Sequence, residues 1–124
     1  MHSPSDEVRM QERRSDHRML CAELVEVLWE QGGRHHHRIA NLEDISLSGI
    51  CLHVEKPIPA GTRIIMRYGD GQLLGTIRYC VFREIGYFLG IQLEDNCRWS
   101  SGHFRPEHLV DPLELIEKSI ARHS

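Results

Sequence analysis

From residue 38 onward, apolar and polar positions alternate in short runs divided by turn residues, the pattern of strands with one face buried. Ile50, Leu52 and Val54 alternate with Cys51, His53 and Glu55. The run Lys56-Pro57-Ile58-Pro59-Ala60-Gly61 breaks that strand, and Thr62 to Tyr68 resumes extended character. Gly69-Asp70-Gly71 is a tight hairpin signal. On the strand after it, Leu73, Gly75, Ile77, Tyr79 and Val81 are expected on one face, with Leu74, Thr76, Arg78 and Cys80 on the other. A turn near residues 83–86 leads to Tyr87, Leu89, Ile91 and Leu93, again with period two. Many short strands at regular spacing, with no long helix between them, imply a closed or nearly closed antiparallel barrel.

Two segments depart from this pattern. Asp111-Pro112-Leu113-Glu114 reads as a helix start, with Asp111 as N-cap, Pro112 at the first helical position and Glu114 three residues after the cap. Leu113, Ile116 and Ile120 then form one apolar stripe, so residues 112–122 are expected as a short amphipathic helix packed on the barrel or on a partner chain. Residues 19–30, MLCAELVEVLWE, are ambiguous. Leu20, Leu24, Val27 and Leu28 fit one helical face, and Gly32 suits a helix stop, so propensity alone favours a helix.

Composition narrows the class. The 124 residues are 40% apolar and 27% charged, as in one globular domain able to bury a single core. No apolar run is long enough to cross a bilayer and no signal-peptide pattern opens the chain, so the cytoplasm is the expected compartment and membrane insertion is not expected. Residues 1–12 are polar and expected to be a disordered tail. Cys21, Cys51, Cys80 and Cys97 form no C-x-x-C pair, and the first three sit among apolar neighbours. They read as reduced, buried thiols and not as a metal or disulfide site. The net charge of −3 argues against DNA or anionic membrane as partner. Yet Arg9, Arg13, Arg14 and Arg18 crowd the start of the chain, and arginine is suited to bidentate contact with phosphate and guanine.

Two short signatures stand about thirty residues apart. Arg14-Ser15-Asp16-His17-Arg18 is an R-x-x-x-R, and Asp44-Ile45-Ser46-Leu47-Ser48-Gly49 is a D-x-S-x-x-G between two strands. Either alone is a weak motif. The ordered pair, inside an all-β pattern of this length, closely resembles the PilZ domain family over roughly residues 13–110. The likeness extends to ICLHVEKPIPAG after Gly49, to Gly75-Thr76-Ile77-Arg78, and to Gly90-Ile91-Gln92-Leu93 on the expected last strand.

The resemblance implies a six-stranded antiparallel β-barrel with a flexible N-terminal arm and a short C-terminal helix. It makes residues 19–30 a strand, and it divides the chain into a tail (1–12), the barrel with its arginine arm (13–110) and the helix (111–124). It further implies a cyclic di-GMP receptor, with no enzymatic activity and no cofactor. Arg14 and Arg18 are then the arm's ligand contacts, and Asp44, Ser46 and Gly49 the barrel's. An arginine at Arg13 is associated in such proteins with two intercalated ligand molecules.

The residue chemistry agrees. Guanine shows O6 and N7 as adjacent acceptors on its Hoogsteen edge, which a guanidinium fork matches. Asp44 can accept from guanine N1–H and the exocyclic amine, Ser46 can donate to a ligand oxygen, and Gly49 lets the backbone approach closely. The mechanism expected is ligand-coupled ordering: cyclic di-GMP bridges the arm and the barrel and changes how a downstream protein is met. An exposed helical stripe also allows a homodimer.

Competing readings follow from other residues. Asp44 and Ser46 are common turn residues. Trp99 and Phe104, with the helical stripe, offer a protein-docking module that needs no nucleotide. His35-His36-His37, with a carboxylate such as Glu43, suggests a small metalloenzyme, but three adjacent histidines on a strand cannot all point one way. After Gly32-Gly33 the run is expected in a solvated hairpin tip with no bound metal.

Overall fold

The computed structural model describes residues 17–97, 99 and 104–114. Six strands make up most of them: β1 (Met19–Gln31), β2 (Arg34–Ile45), β3 (Gly49–Val54), β4 (Arg63–Tyr68), β5 (Gly71–Arg83) and β6 (Gly86–Leu93). Neighbouring strands are antiparallel, and the sheet closes as a barrel in the order β1-β2-β3-β6-β5-β4. The barrel closes through three residue pairs between β1 (Glu26–Leu28) and β4 (Ile65–Arg67).

Residues 19–30 are strand, as the resemblance implied and propensity did not. Val25, Val27 and Trp29 point into the core at alternate positions, and Leu24 is left outside with 73% of its surface exposed. The segment pairs with β2 on one side and β4 on the other, and that long-range pairing overrides the helical preference of its leucines.

The tight turns carry the expected chemistry. Gln31 pairs with Arg34 across Gly32-Gly33, both with positive φ (61° and 75°), as a two-residue hairpin of this twist requires. Tyr68 pairs with Gly71, and Gly69 alone takes the positive φ there. The three histidines lie just past the first of these turns, on the opening residues of β2. His36 is stacked on Trp29 with ring centroids 5.2 Å apart.

Three irregularities in register shape the outer surface. One falls in β1 between Leu20 and Glu23, one in β2 between Leu42 and Asp44, and one in β5 between Ile77 and Tyr79. The last corrects an expectation. Leu73, Gly75 and Ile77 do face inward, but the bulge turns Tyr79 and Val81 outward and brings Cys80 against the core.

Beyond β6 the chain runs back over the barrel. Trp99 and Phe104 are buried, with the Trp99 indole N–H donating to the Phe104 carbonyl at 2.7 Å and the Phe104 ring stacked on Tyr68 at 3.9 Å. Both aromatic rings are therefore committed inside this molecule and are not offered to a partner. The segment then lies along the start of β1, where Leu20 and Val110 exchange backbone hydrogen bonds of 2.8 and 2.7 Å. Asp111 caps the next turn as expected, its Oδ1 accepting from the Leu113 N–H at 2.9 Å. Helix is described for residues 112–114, and the remainder of the expected helix, like the tail at 1–12, lies outside the described residues. All four cysteines are free thiols, Cys21 and Cys51 buried, Cys80 and Cys97 partly so. No helix among the described residues is long and apolar enough to cross a membrane.

Candidate functional site

The β2–β3 hairpin carries the D-x-S-x-x-G signature, and its shape follows from the bulge before it. Leu42 and Ile45 both point inward with no exposed surface, although they stand three positions apart. A regular strand would put Leu42 and Asp44 on the same face. The extra residue, Glu43, shifts the register so that Asp44 pairs with Cys51 and projects outward. Its side chain keeps 20% of its surface accessible.

At the tip the Ser46 N–H donates to the Gly49 carbonyl at 2.8 Å, closing a two-residue turn at Leu47-Ser48. The Ser46 side chain is fully buried, and its hydroxyl is hydrogen-bonded to Gly49. The tip is held from both sides, since Leu93 N–H donates to the Ser48 carbonyl at 2.8 Å and Trp99 N–H to the Leu47 carbonyl at 3.1 Å. Gly49 is tightly placed. A Cβ there would lie 3.2 Å from the Ile91 carbonyl oxygen and 3.7 Å from Arg18 Nη2.

Arg18 meets this hairpin from the other motif. Its Nη1 donates to Asp44 Oδ1 at 2.5 Å, across 26 residues of sequence. Of the six residues singled out in the sequence, the structure brings together Arg18, Asp44, Ser46 and Gly49. Arg13 and Arg14 lie outside the described residues.

Beside Asp44 is a shallow pocket of about 210 Å³, whose lining includes Glu43, Cys51, Tyr79, Arg83 and Phe88. The Arg83 guanidinium stands 5.8 Å over the Phe88 ring, and the Tyr79 ring occupies the space where Gly90 lacks a side chain. Sequence reasoning did not single out Tyr79, Arg83 and Phe88. Tyr79 was expected on the same face as Leu73 and Ile77, and only the β5 bulge brings it to this surface. Arg83 and Phe88 belong to no motif, and just their cross-strand placement at the β5–β6 hairpin puts them near Asp44. The pocket thus joins one arginine, two acidic side chains and two aromatic rings around one small concavity, with Arg18 paired to Asp44 at its side. Burial, then the charges of Asp44 and Glu43, push the Cys51 thiol up to about 11, so it is a neutral wall of the pocket at ordinary pH.

The histidine run is arranged differently. His35 contacts Glu30 at 3.3 Å and His37 contacts Glu26 at 3.5 Å, while His36 turns onto Trp29. Glu43 is engaged by Asn41 Nδ2 at 2.8 Å. Among the described residues no group of three or more His, Cys, Asp or Glu side chains is gathered to hold a metal ion.

A closed six-stranded barrel whose N-terminal approach delivers an arginine to an acidic hairpin tip defines a small β-barrel binding domain. The chain belongs to the PilZ domain family, whose model matches residues 12–97. PilZ domains are in general cyclic di-GMP-binding effector modules and not enzymes, and they take the dinucleotide as a ligand and not as a cofactor. No curated protein matches the chain.

Proposed function

We propose that this chain is a cyclic di-GMP receptor that binds the dinucleotide between its N-terminal arginine arm and the β2–β3 hairpin. The observation that carries this reading is the 2.5 Å contact of Arg18 with Asp44, which joins the second arginine of R-x-x-x-R to the aspartate of D-x-S-x-x-G. Arg14 and Arg18 supply guanidinium forks to a guanine Hoogsteen edge and to phosphate. Asp44 accepts from guanine N1–H and the exocyclic amine. Gly49 lets the ligand approach the hairpin, and buried Ser46 holds that hairpin's shape. The ligand carries two negative charges, which offset the mutual repulsion of Arg13, Arg14 and Arg18. Its contacts also compensate the entropy of ordering the arm. The output is a changed surface read by a downstream protein in the cytoplasm.

Calorimetric titration of cyclic di-GMP, with cyclic di-AMP as control, tests the proposal. Saturable binding of the guanine ligand alone is expected, with a stoichiometry near two per chain if Arg13 supports the intercalated pair. Arg14→Ala and Arg18→Ala should each weaken binding by roughly 5- to 150-fold, the equivalent of about 1–3 kcal/mol. Unchanged affinity in both variants would overturn the site, and no binding by the parent chain would overturn the function.

A further inference from the structure

Arg18 and its predecessor His17 leave the arm toward two different places. Arg18 reaches Asp44 on the barrel, and His17 Nε2 lies 2.7 Å from Asp111 Oδ1 in the segment after the barrel. The same Asp111 oxygen accepts the Leu113 N–H at 2.9 Å, so one carboxylate oxygen both caps the helix start and holds the arm. Around it the two chain segments are stitched together. Leu20 and Val110 exchange two backbone hydrogen bonds, Ala22 N–H donates to the Glu107 carbonyl at 3.0 Å, and Glu107 N–H donates to Glu23 Oε1 at 3.2 Å.

From this juxtaposition we infer that the His17–Asp111 contact is an autoinhibitory latch, which holds the arm in its self-paired position and links occupancy of the site to the C-terminal segment. The inference rests on the receptor reading given above and adds its regulation. In the latched arrangement Arg18 and Asp44, two groups assigned to the ligand, neutralise one another. For the guanine N1–H and exocyclic amine to take both carboxylate oxygens of Asp44, the Arg18 guanidinium has to yield its place at Oδ1. Adjacent Cα atoms are about 3.8 Å apart, so a displacement of Arg18 by more than a side-chain rotation carries His17 with it. A hydrogen bond of 2.7 Å has little slack, and a movement of about 1 Å takes it out of range. A backbone displacement of the arm toward a ligand therefore strains the bond at Asp111, and the helix cap shares that oxygen. By linkage, whatever opposes the arm's movement lowers ligand affinity, and ligand in turn loosens the segment around Asp111.

The test pairs affinity with amide hydrogen exchange on the full chain. His17→Ala should bind cyclic di-GMP roughly twofold to fivefold more tightly than the parent, the size expected for one partly exposed pair. His17→Gln, whose amide can still donate to Asp111, should return the parent affinity. Saturating cyclic di-GMP should speed exchange of the Val110 and Leu113 amides in the parent, and His17→Ala should show that faster exchange without ligand. A merely structural histidine would give no gain in affinity on removal and no rescue by glutamine. Unchanged or weakened binding by His17→Ala, with exchange at Leu113 insensitive to ligand, overturns the latch and leaves the receptor standing if Arg18→Ala still loses affinity. Absence of saturable binding in the parent overturns the receptor reading, and the latch falls with it.

Discussion

Ser46 and Gly49 hold one another. The Ser46 hydroxyl donates to the Gly49 carbonyl at 3.1 Å, and the Gly49 N–H donates to the same hydroxyl oxygen at 3.1 Å. With the backbone bond from Ser46 N–H at 2.8 Å, three hydrogen bonds close a turn of two residues. The serine and glycine of D-x-S-x-x-G are therefore builders of the hairpin, and the aspartate is the member that projects. A glycine suits its place because the Ile91 carbonyl leaves little room for a Cβ.

Ser46→Ala should therefore act first on stability. It leaves the buried Gly49 N–H without its side-chain acceptor, which costs about 1–3 kcal/mol. For a chain of this size that is a fall in Tm of roughly 3–5 °C per kcal/mol, readable by thermal denaturation. Below the transition, its loss of cyclic di-GMP affinity should be smaller than that of Asp44→Ala. A variant with the parent Tm would show that these bonds contribute nothing.

Arg18→Ala should do the reverse. The Arg18 side chain is about half exposed (48%), and exposed ion pairs couple by about 0.2–1 kcal/mol even when their geometry is close. A double-mutant cycle of Arg18→Ala with Asp44→Ala in urea should give a coupling in that range, while Arg18→Ala alone loses most of the ligand affinity. A coupling of several kcal/mol would instead make the pair a structural element of the barrel.

Much of this was legible in the sequence, and the failures have common causes. Period two placed Ile50, Leu52 and Val54 inside correctly, and Gly69 and the Gly32-Gly33 pair marked true hairpins, because both signals are local. The two motifs singled out Arg18 and Asp44 as contacts of one ligand, but neither announced that the two side chains pair directly. The helical face read at Leu20, Leu24 and Leu28 was misleading because β1 takes its form from its partners β2 and β4. Tyr79 was assigned to the wrong face because a bulge inverts every side chain after it, and β5 carries no sequence mark of where its bulge falls. In β2 there was a mark, since Leu42 and Ile45 are both apolar three residues apart. No motif announced the contact of His17 with Asp111, which depends on how the chain returns across β1.

Glu84 takes a φ of 56° at the β5–β6 turn, where Arg83 pairs with Gly86 across two residues. A left-handed conformation costs a non-glycine residue about 1–2 kcal/mol, and glycine avoids that cost at the expense of a more disordered unfolded chain. Glu84→Gly should thus raise the urea midpoint by the equivalent of about 0.5–1 kcal/mol, and the β-branched Glu84→Val should lower it. A midpoint lowered by glycine would mean that the Glu84 side chain makes a contribution larger than its backbone strain.

The two buried thiols set an alkaline limit on the fold. Burial, reinforced by the nearby charges of Asp44, Glu23 and Glu43, raises the Cys21 thiol from 9.0 to about 12, and burial raises Cys51 to about 11. Below the ordinary thiol value both are protonated in the folded and unfolded chain alike, so their contribution is constant there. As pH rises from 9 toward 11 and 12, the unfolded chain releases protons that the folded chain keeps, and stability falls across that window. Cys21→Ala and Cys51→Ala should each flatten that fall when unfolding is followed from pH 8 to 11. The same shift keeps the nucleophilic thiolate scarce, so at pH 8 a thiol reagent should label Cys80 and Cys97 well before Cys21 and Cys51. Equal labelling rates for all four would mean that the barrel opens locally around β1 and β3 faster than the reagent reacts.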